Sequence, residues 1–270
     1  MAEPAWKTPI EESDEPEGGD SGVVLLQRWV ERADGCFELL ERPVTLEDYL
    51  DPQLEDKLIQ GNSHALVRRT LADVLYRHFL TDGDVFVLED VKVLFGPGFP
   101  GPGPDVSVIR GARDPDPDFE SFDTVKQGVI PCLLIEVISP SDPRVRRMDE
   151  VDKKDLYERI GIPEYLLVDL PRRATAHRFQ IRGYRLGAGR RYQAIQPDGE
   201  GRLLSETAGL RFGPSQDGQW IEVFVASTGE RLLTSWEAEE KAAREAEGRK
   251  AAEEELVRLR AEIERLKNRA

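Results

Sequence analysis

Residues 132–138, with the sequence CLLIEVI, form the segment on which the fold prediction rests. A short, continuous run of aliphatic residues predicts a strand that is buried on both faces of a sheet. Glu136 stands in the middle of this run. A glutamate is rarely buried unless it is paired or binds a metal, because an isolated buried charge is strongly destabilising. We therefore expect a compensating charge beside Glu136.

Two explanations for a buried Glu136 remain open. The first is a structural ion pair with the basic residues that follow the strand, which are Arg144, Arg146 and Arg147. The second is a metal ion that Glu136 shares with another carboxylate. The three arginines also have two interpretations: phosphate contacts beside a site, or neutralisation of the acidic residues at 149–152.

Asp105 is the second acidic residue of interest. It follows a glycine- and proline-rich loop at 96–104, which cannot be helical, and it begins a predicted strand at 106–109. On its own, an aspartate beside proline is most often a turn or strand-edge residue. If the two strands are neighbours, however, Asp105 and Glu136 face each other with side chains about 5 Å apart. Such carboxylates repel unless a cation lies between them, and Mg²⁺ binds in this way together with water and phosphate oxygens.

A predicted helix at 149–160 supplies the third element. Asp149, Lys153 and Tyr157 are spaced by four residues and share one helix face. From this face, the Lys153 ammonium could reach a phosphate bound at the carboxylates. The alternative is a surface pair with Asp149, which contributes only a few tenths of a kcal/mol. Lys154 points about 100° away around the helix and is the weaker candidate.

The remaining pattern predicts a mixed α/β (α+β) domain, with a sheet flanked by helices. Helices begin at Thr45 and Asn62, where capping residues precede amphipathic segments. Residues 176–235 consist of short alternating runs separated by glycine turns, which is typical of antiparallel hairpins. Further strands are predicted at 23–30, 36–40, 85–88, 91–95 and 165–168.

The two ends of the chain differ from the domain between them. Residues 1–20 hold seven acidic residues against one lysine and predict a disordered acidic arm, residues 21–235 predict one domain, and residues 236–270 predict a charged helical tail. Self-association of the tail as a coiled coil and packing of its apolar line against the domain are equally supported. The apolar residues that follow coiled-coil spacing over about two heptads are Leu256, Leu259, Ile263 and Leu266.

Composition restricts the functions that the chain can perform. The net charge is −15, and about −8 remains after the two ends are removed, which argues against a broad phosphate-binding surface but leaves room for a small basic patch. Cys36 and Cys132 provide no disulfide framework, and Cys132 is expected to be a buried free thiol. No apolar stretch is long enough for a membrane span, and the acidic, proline-containing beginning is unlike a signal peptide. We therefore expect a cytoplasmic protein without membrane partners.

Several spaced segments together resemble a known family. The sequences GPGPDVSVI (101–109), LLIEVISPSDP (133–143) and GIPEYLLVD (161–169), with the Asp149–Lys153–Tyr157 helix between the last two, resemble the Uma-two-type restriction endonuclease family (DUF820-like). This family is a branch of the PD-(D/E)xK nuclease superfamily. The resemblance runs from about residue 45 to residue 169. It implies a restriction-endonuclease-like mixed sheet.

The resemblance also implies roles for individual residues. Asp105 and Glu136 would be the ligands of a catalytic Mg²⁺, with Mn²⁺ as a substitute. Lys153 would be the catalytic lysine, supplied from the helix because the strand lacks the usual lysine of an E-x-K motif. His64 matches a histidine that is common at its helix start, with a solvated first-turn residue as the alternative.

The function implied is a Mg²⁺-dependent DNA endonuclease that hydrolyses phosphodiester bonds. Residues 236–270 would form a homodimer or bind another helical partner. The alternative from a different class is a nuclease-fold binding or assembly module that acts through this tail, with little or no catalysis. An enzyme of the same fold acting on RNA or a nucleotide is a further alternative.

Overall fold

The computed structural model describes residues 25–32, 36–53, 57–58, 62–112, 120–138, 143–170 and 179–268. The predicted acidic arm at residues 1–20 lies outside these ranges. The chain divides into two compact units, Met1–Leu232 and Leu233–Ala270. No helix within the described ranges is both long and apolar enough to cross a membrane.

The described residues of the first unit form strands and helices, and those of the second unit form one long helix. The strands are β1 (Leu25–Glu31), β2 (Phe37–Pro43), β3 (Lys57–Leu58), β4 (Val85–Glu89), β5 (Lys92–Leu94), β6 (Val106–Arg110), β7 (Ser121–Asp123), β8 (Leu133–Ile138), β9 (Glu164–Asp169), β10 (Gln180–Leu186), β11 (Tyr192–Ala194), β12 (Leu203–Ser205), β13 (Leu210–Pro214) and β14 (Ile221–Val225). The helices are α1 (Leu46–Leu50), α2 (Asn62–Phe79), α3 (Thr124–Gln127), α4 (Pro143–Arg147), a π-helix (Met148–Lys153), α5 (Lys154–Ile160) and α6 (Ser235–Lys267).

The central sheet has the strand order β11-β10-β9-β8-β6-β4 among the residues that the structure describes. β8 and β9 are parallel, and the other neighbours in this sheet are antiparallel. Every residue of β8 is buried, as the continuous apolar run predicted. The mixed α/β (α+β) class is thus confirmed, and the expected hairpins of the second half are present in β10–β14.

Side chains alternate between the two faces of β8. Leu133, Ile135 and Val137 belong to one apolar core, which also contains residues of α2, β13 and β14. Leu134 and Ile138 belong to a second core on the opposite face, with residues of α5 and β9. Because side chains two residues apart share a face of a strand, Glu136 lies on the same side as the second core.

The segment predicted as one helix at 149–160 is divided in the structure. Its first part belongs to the π-helix, in which the backbone bonds run from residue i to i+5, and α5 follows. Met148, Asp149 and Lys153 are all buried within this wider turn. The helix ends as predicted at Gly161, whose φ of 97° is readily adopted only by glycine.

The second unit contains the predicted helical tail. α6 begins after Thr234, whose side chain accepts from the Glu237 amide while the Glu237 carboxylate accepts from the Thr234 amide. The two cysteines, both within the described ranges, form no disulfide bond. Cys36 is exposed, and Cys132 is half-buried and donates to the Val108 carbonyl.

Candidate active site

Asp105 and Glu136 lie opposite each other at the end of the β6–β8 pair. The register pairs Val106 with Ile135, so the next residues, Asp105 and Glu136, face each other across the ladder. The Asp105 amide donates to Glu136 Oε2 at 3.4 Å, and the Val137 amide donates to Asp105 Oδ2 at 2.8 Å. The predicted juxtaposition of the two carboxylates is therefore present.

Lys153 provides the charge that compensates Glu136. Its Nζ atom lies 2.9 Å from Glu136 Oε1 and 3.4 Å from Asp149 Oδ1. The alternative of a surface pair with Asp149 is thus wrong, because both side chains are almost completely buried. The Lys154 ammonium instead lies 5.2 Å from the centre of the Tyr184 ring. Of the two candidate lysines, Lys153 is the one that reaches the carboxylates.

The arginines after β8 have other partners where their side chains are described. Arg146 Nε lies 2.8 Å from Glu150 Oε1, and its guanidinium also donates to both carboxylate oxygens of Asp169. This arrangement agrees with neutralisation of nearby acids. Arg147 is exposed, and the Arg144 side chain lies outside the described residues.

His64, in the first turn of α2, is buried against Asp105 and is not the solvated residue that was the alternative. Its Nε2 atom lies 3.2 Å from Asp105 Oδ2. Within the described part of the chain, His64 Nδ1 is buried without a hydrogen-bond partner. One turn later, Arg68 Nη1 lies 3.8 Å from Asp105 Oδ1 and 3.0 Å from Asp90 Oδ2. Sequence reasoning missed Arg68, although its i+4 spacing from His64 places both on one helix face.

Three tyrosines surround the charged groups. The Tyr49 ring lies 4.1 Å from Lys153 Nζ, and its hydroxyl donates to Asp149 Oδ1 at 2.9 Å. The Tyr157 hydroxyl donates to Glu136 Oε1 at 3.1 Å. The Tyr165 hydroxyl donates to the Asp149 carbonyl at 2.9 Å. Only Tyr157 was on the predicted helix face.

The site brings three buried carboxylates together with the buried side chains of Lys153 and His64. Burial raises the pKa of Glu136 well above its ordinary value despite the Lys153 charge, and Asp105 and Asp149 raise it further. Burial likewise raises the pKa of Asp149 to about 6. Burial opposes ionisation of Asp105 as well, but the charge and hydrogen bond of His64 hold the pKa of Asp105 below its ordinary value.

Two carboxylates of the site have the chemistry to hold a divalent cation. No set of three or more His, Cys, Asp or Glu side chains is arranged for a metal within the residues described. Mg²⁺ does not require three, since it typically binds one or two carboxylates and completes its octahedron with water and phosphate oxygens. Burial, with smaller contributions from Asp105 and Asp149, raises the pKa of Glu136, and a bound cation would favour its ionised form. Asp105 and Glu136 therefore fit Mg²⁺ as a pair of ligands.

The chain is similar to proteins that are already known. A solved structure described as a putative nuclease belonging to DUF820, from Anabaena variabilis ATCC 29413, is similar at 14% identity and a TM-score of 0.40, over 59% of this chain and 81% of the other. Among curated proteins, none is significantly similar to this chain. The model of the Uma2 family, described as "Putative restriction endonuclease", matches residues 26–229. The chain therefore belongs to the Uma2 family.

Proposed function

We propose that the protein is a Mg²⁺-dependent DNA endonuclease with Asp105, Glu136 and Lys153 as its active site. The observation that carries this proposal is the 2.9 Å contact between Lys153 Nζ and Glu136 Oε1, in the same buried site as Asp105. A cation-binding carboxylate pair beside a buried ammonium is suited to hydrolysis of a phosphodiester. Membership of a family described as "Putative restriction endonuclease" supports the choice of DNA as the substrate.

Each residue would have a separate task. Asp105 and Glu136 would hold Mg²⁺, or Mn²⁺ in its place, and the bound ion would polarise a phosphoryl oxygen and lower the pKa of water. Lys153 would stabilise the negative charge that develops on the phosphate. His64 and Arg68 position Asp105, since both contact its carboxylate. Because the carboxylates and the ammonium are buried, their electrostatic interactions are stronger than they would be in water.

A second function, from a different class, is a nuclease-fold binding or assembly module. The observation that favours it is the exposure of the apolar residues of α6, such as Leu256 and Leu266. The net charge of −15 also suits this alternative better than DNA binding. For the enzyme, a homodimer formed through residues 236–270 would supply the two active sites that suit a double-strand cut. We place either form in the cytoplasm.

Calorimetric titration of Mg²⁺ and Mn²⁺ tests the proposal, with a supercoiled-plasmid nicking assay on the same samples. The wild type should bind metal and nick DNA, whereas Asp105→Asn and Glu136→Gln should lose both properties and remain folded. Glu164→Gln is the matched control, because Glu164 is also fully buried in the central sheet but binds Arg185 and Thr207. The control should retain metal binding and nicking.

Two results would overturn the enzyme proposal. If the wild type neither binds metal nor nicks DNA, the binding module becomes the better explanation. If Asp105→Asn and Glu136→Gln are destabilised and the metal binding of their folded fraction equals that of the wild type, the two acids are structural.

A further inference from the structure

α6 exposes a line of apolar side chains along its C-terminal half. The exposed fractions are 54% for Leu256, 46% for Leu259, 50% for Ile263 and 61% for Leu266. Their spacing of three, four and three residues places them in one stripe along the helix. Outside this stripe the same half of the helix is mostly charged, so the stripe is a narrow seam of the coiled-coil type.

We propose that residues 249–267 form a parallel, in-register, two-stranded coiled coil with a second copy of this chain. In heptad notation, Leu256 and Ile263 occupy a positions, and Leu259 and Leu266 occupy d positions. A β-branched residue at a with leucine at d, as in Ile263 and Leu266, favours two strands. The seam therefore specifies a dimer of helices, and its charged flanks specify the orientation.

The charges beside the seam select the parallel arrangement. In a parallel dimer, the residue at g of one helix lies beside the residue at e of the next heptad in its partner. Glu255 at g would thus face Arg260 at e, and the sequence repeats this opposite-charge pair as Glu262 and Lys267. The two-fold symmetry of the dimer makes each pair occur twice.

An antiparallel dimer would bring like charges together. In that orientation g residues neighbour g residues, and e residues neighbour e residues. Glu255 would then lie beside a glutamate of the partner helix, and Arg260 beside a basic residue. The charge pattern is consequently attractive in one orientation and repulsive in the other.

The seam ends in the middle of α6. The preceding a position is Arg249, and the d position before it is Glu245. A single polar residue at an a position fixes register and limits the assembly to a dimer, at a cost in stability. Farther upstream, α6 makes contacts within itself, as in the 2.7 Å pair of Arg244 and Glu240. With about two heptads of seam, the association should depend strongly on protein concentration.

Charge-exchange variants of the full chain test the flanking pairs. Arg260→Glu makes both members of the g–e pair glutamate, and Glu255→Arg makes both of them arginine. Sedimentation velocity over a range of concentrations should show that each variant alone associates roughly tenfold more weakly than the wild type, or more weakly still. A mixture of the two should associate at least as well as the wild type, because each unlike pair is restored. If the wild type stays monomeric at all concentrations, or both variants associate normally, the proposal is wrong.

Cysteine cross-linking tests the orientation. In a Cys36→Ser background, Leu266→Cys should form a disulfide with the same position of the partner, since a parallel, in-register dimer brings identical positions together. Val257→Cys is the matched control, because Val257 is exposed on α6 but lies outside the seam. Peptide mapping identifies the cysteines that are linked. The parallel register would be excluded if Leu266→Cys dimers form without a disulfide between the two introduced thiols. It would also be excluded if the Val257→Cys control is linked equally well.

Discussion

Lys153 and Glu136 form an ion pair of 2.9 Å in which neither side chain exposes more than 2% of its surface. Burial alone would lower the pKa of Lys153, but the carboxylates of Glu136 and Asp149 raise it above its ordinary value. Lys153 therefore remains an ammonium at any pH at which the protein works. It compensates the negative charge of Glu136, and it also contacts one of the carboxylate oxygens that a metal would bind.

The first prediction concerns Lys153→Met. We expect the nicking rate to fall by about 10²-fold or more, because a preorganised positive charge is lost from the position of the reacting phosphate. Mg²⁺ binding should be retained or become tighter, because the ammonium no longer competes for Glu136 Oε1. Calorimetry and the nicking assay on one sample separate the two effects.

Lys154→Met is the control for that experiment. Lys154 is the next residue in the chain, but its ammonium lies over the Tyr184 ring. Its removal should therefore leave both metal binding and nicking close to those of the wild type. If Lys154→Met abolishes nicking while Lys153→Met does not, the assignment of the catalytic lysine is wrong.

A second prediction distinguishes the two contacts of Tyr49. Tyr49→Phe keeps a ring beside Lys153 but loses the hydroxyl that donates to Asp149, whereas Tyr49→Leu loses both. We expect the nicking rate to fall about fivefold in the Phe variant and further in the Leu variant, since a desolvated cation–π contact contributes about 2 kcal/mol.

The pH profile shows whether Tyr49 acts through its neighbours. The Tyr49 hydroxyl lowers the pKa of Asp149, so its loss in Tyr49→Phe should move the acidic limb of the nicking profile to higher pH. Mg²⁺ affinity at neutral pH should change little. A purely structural role for Tyr49 would lower the amount of folded protein without moving the profile.

The sequence predicted the two strands, and the family resemblance implied the lysine. A continuous apolar run identifies β8, and the period of two along strands places Asp105 and Glu136 on one face once the strands are neighbours. The helical spacing of Lys153 and Tyr157 predicted that they share one face, and in the structure both contact Glu136. Their catalytic roles stay predictions.

Other parts of the site depend on contacts between distant segments. Tyr49 reaches Asp149 only because α1 lies beside the π-helix, and no local pattern in its own segment indicates that contact. The π-helix was also missed, because a spacing of four residues fits one turn of either helix type. The ion pair of Glu136 with Lys153 was not predicted either, because the sequence pointed to the nearby arginines or to a metal as the compensating charge.

The third prediction concerns the metal and pH. Burial raises the pKa of Glu136 well above its ordinary value although the Lys153 charge opposes the shift, so protons compete with a metal for this carboxylate. A metal requires the deprotonated carboxylate, and binding should therefore release a proton and become tighter as the pH rises. Titrations in two buffers of different ionisation enthalpy measure this release. Affinity that does not rise with pH would contradict the placement of Mg²⁺ on Glu136. EDTA should abolish nicking at every pH.

The last prediction concerns Asp149 and stability. Burial raises the pKa of Asp149 to about 6, although Lys153 and Tyr49 oppose the shift. An aspartate in the unfolded chain has a pKa of about 3.9, so between about pH 4 and pH 6 the folded state binds more protons than the unfolded state. The free energy of unfolding therefore falls as the pH rises through this window, and the loss persists above it.

Asp149→Asn removes the titrating group but keeps an oxygen that can accept from the Tyr49 hydroxyl. The variant should match the wild type near pH 4 and be more stable near pH 7 by about 1–3 kcal/mol, which urea unfolding at both pH values measures. Asp155→Asn, at an exposed position of α5, should change stability little at either pH. If Asp149→Asn is instead less stable at pH 7, the carboxylate is required to hold Lys153, and its contact of 3.4 Å outweighs the cost of its buried charge.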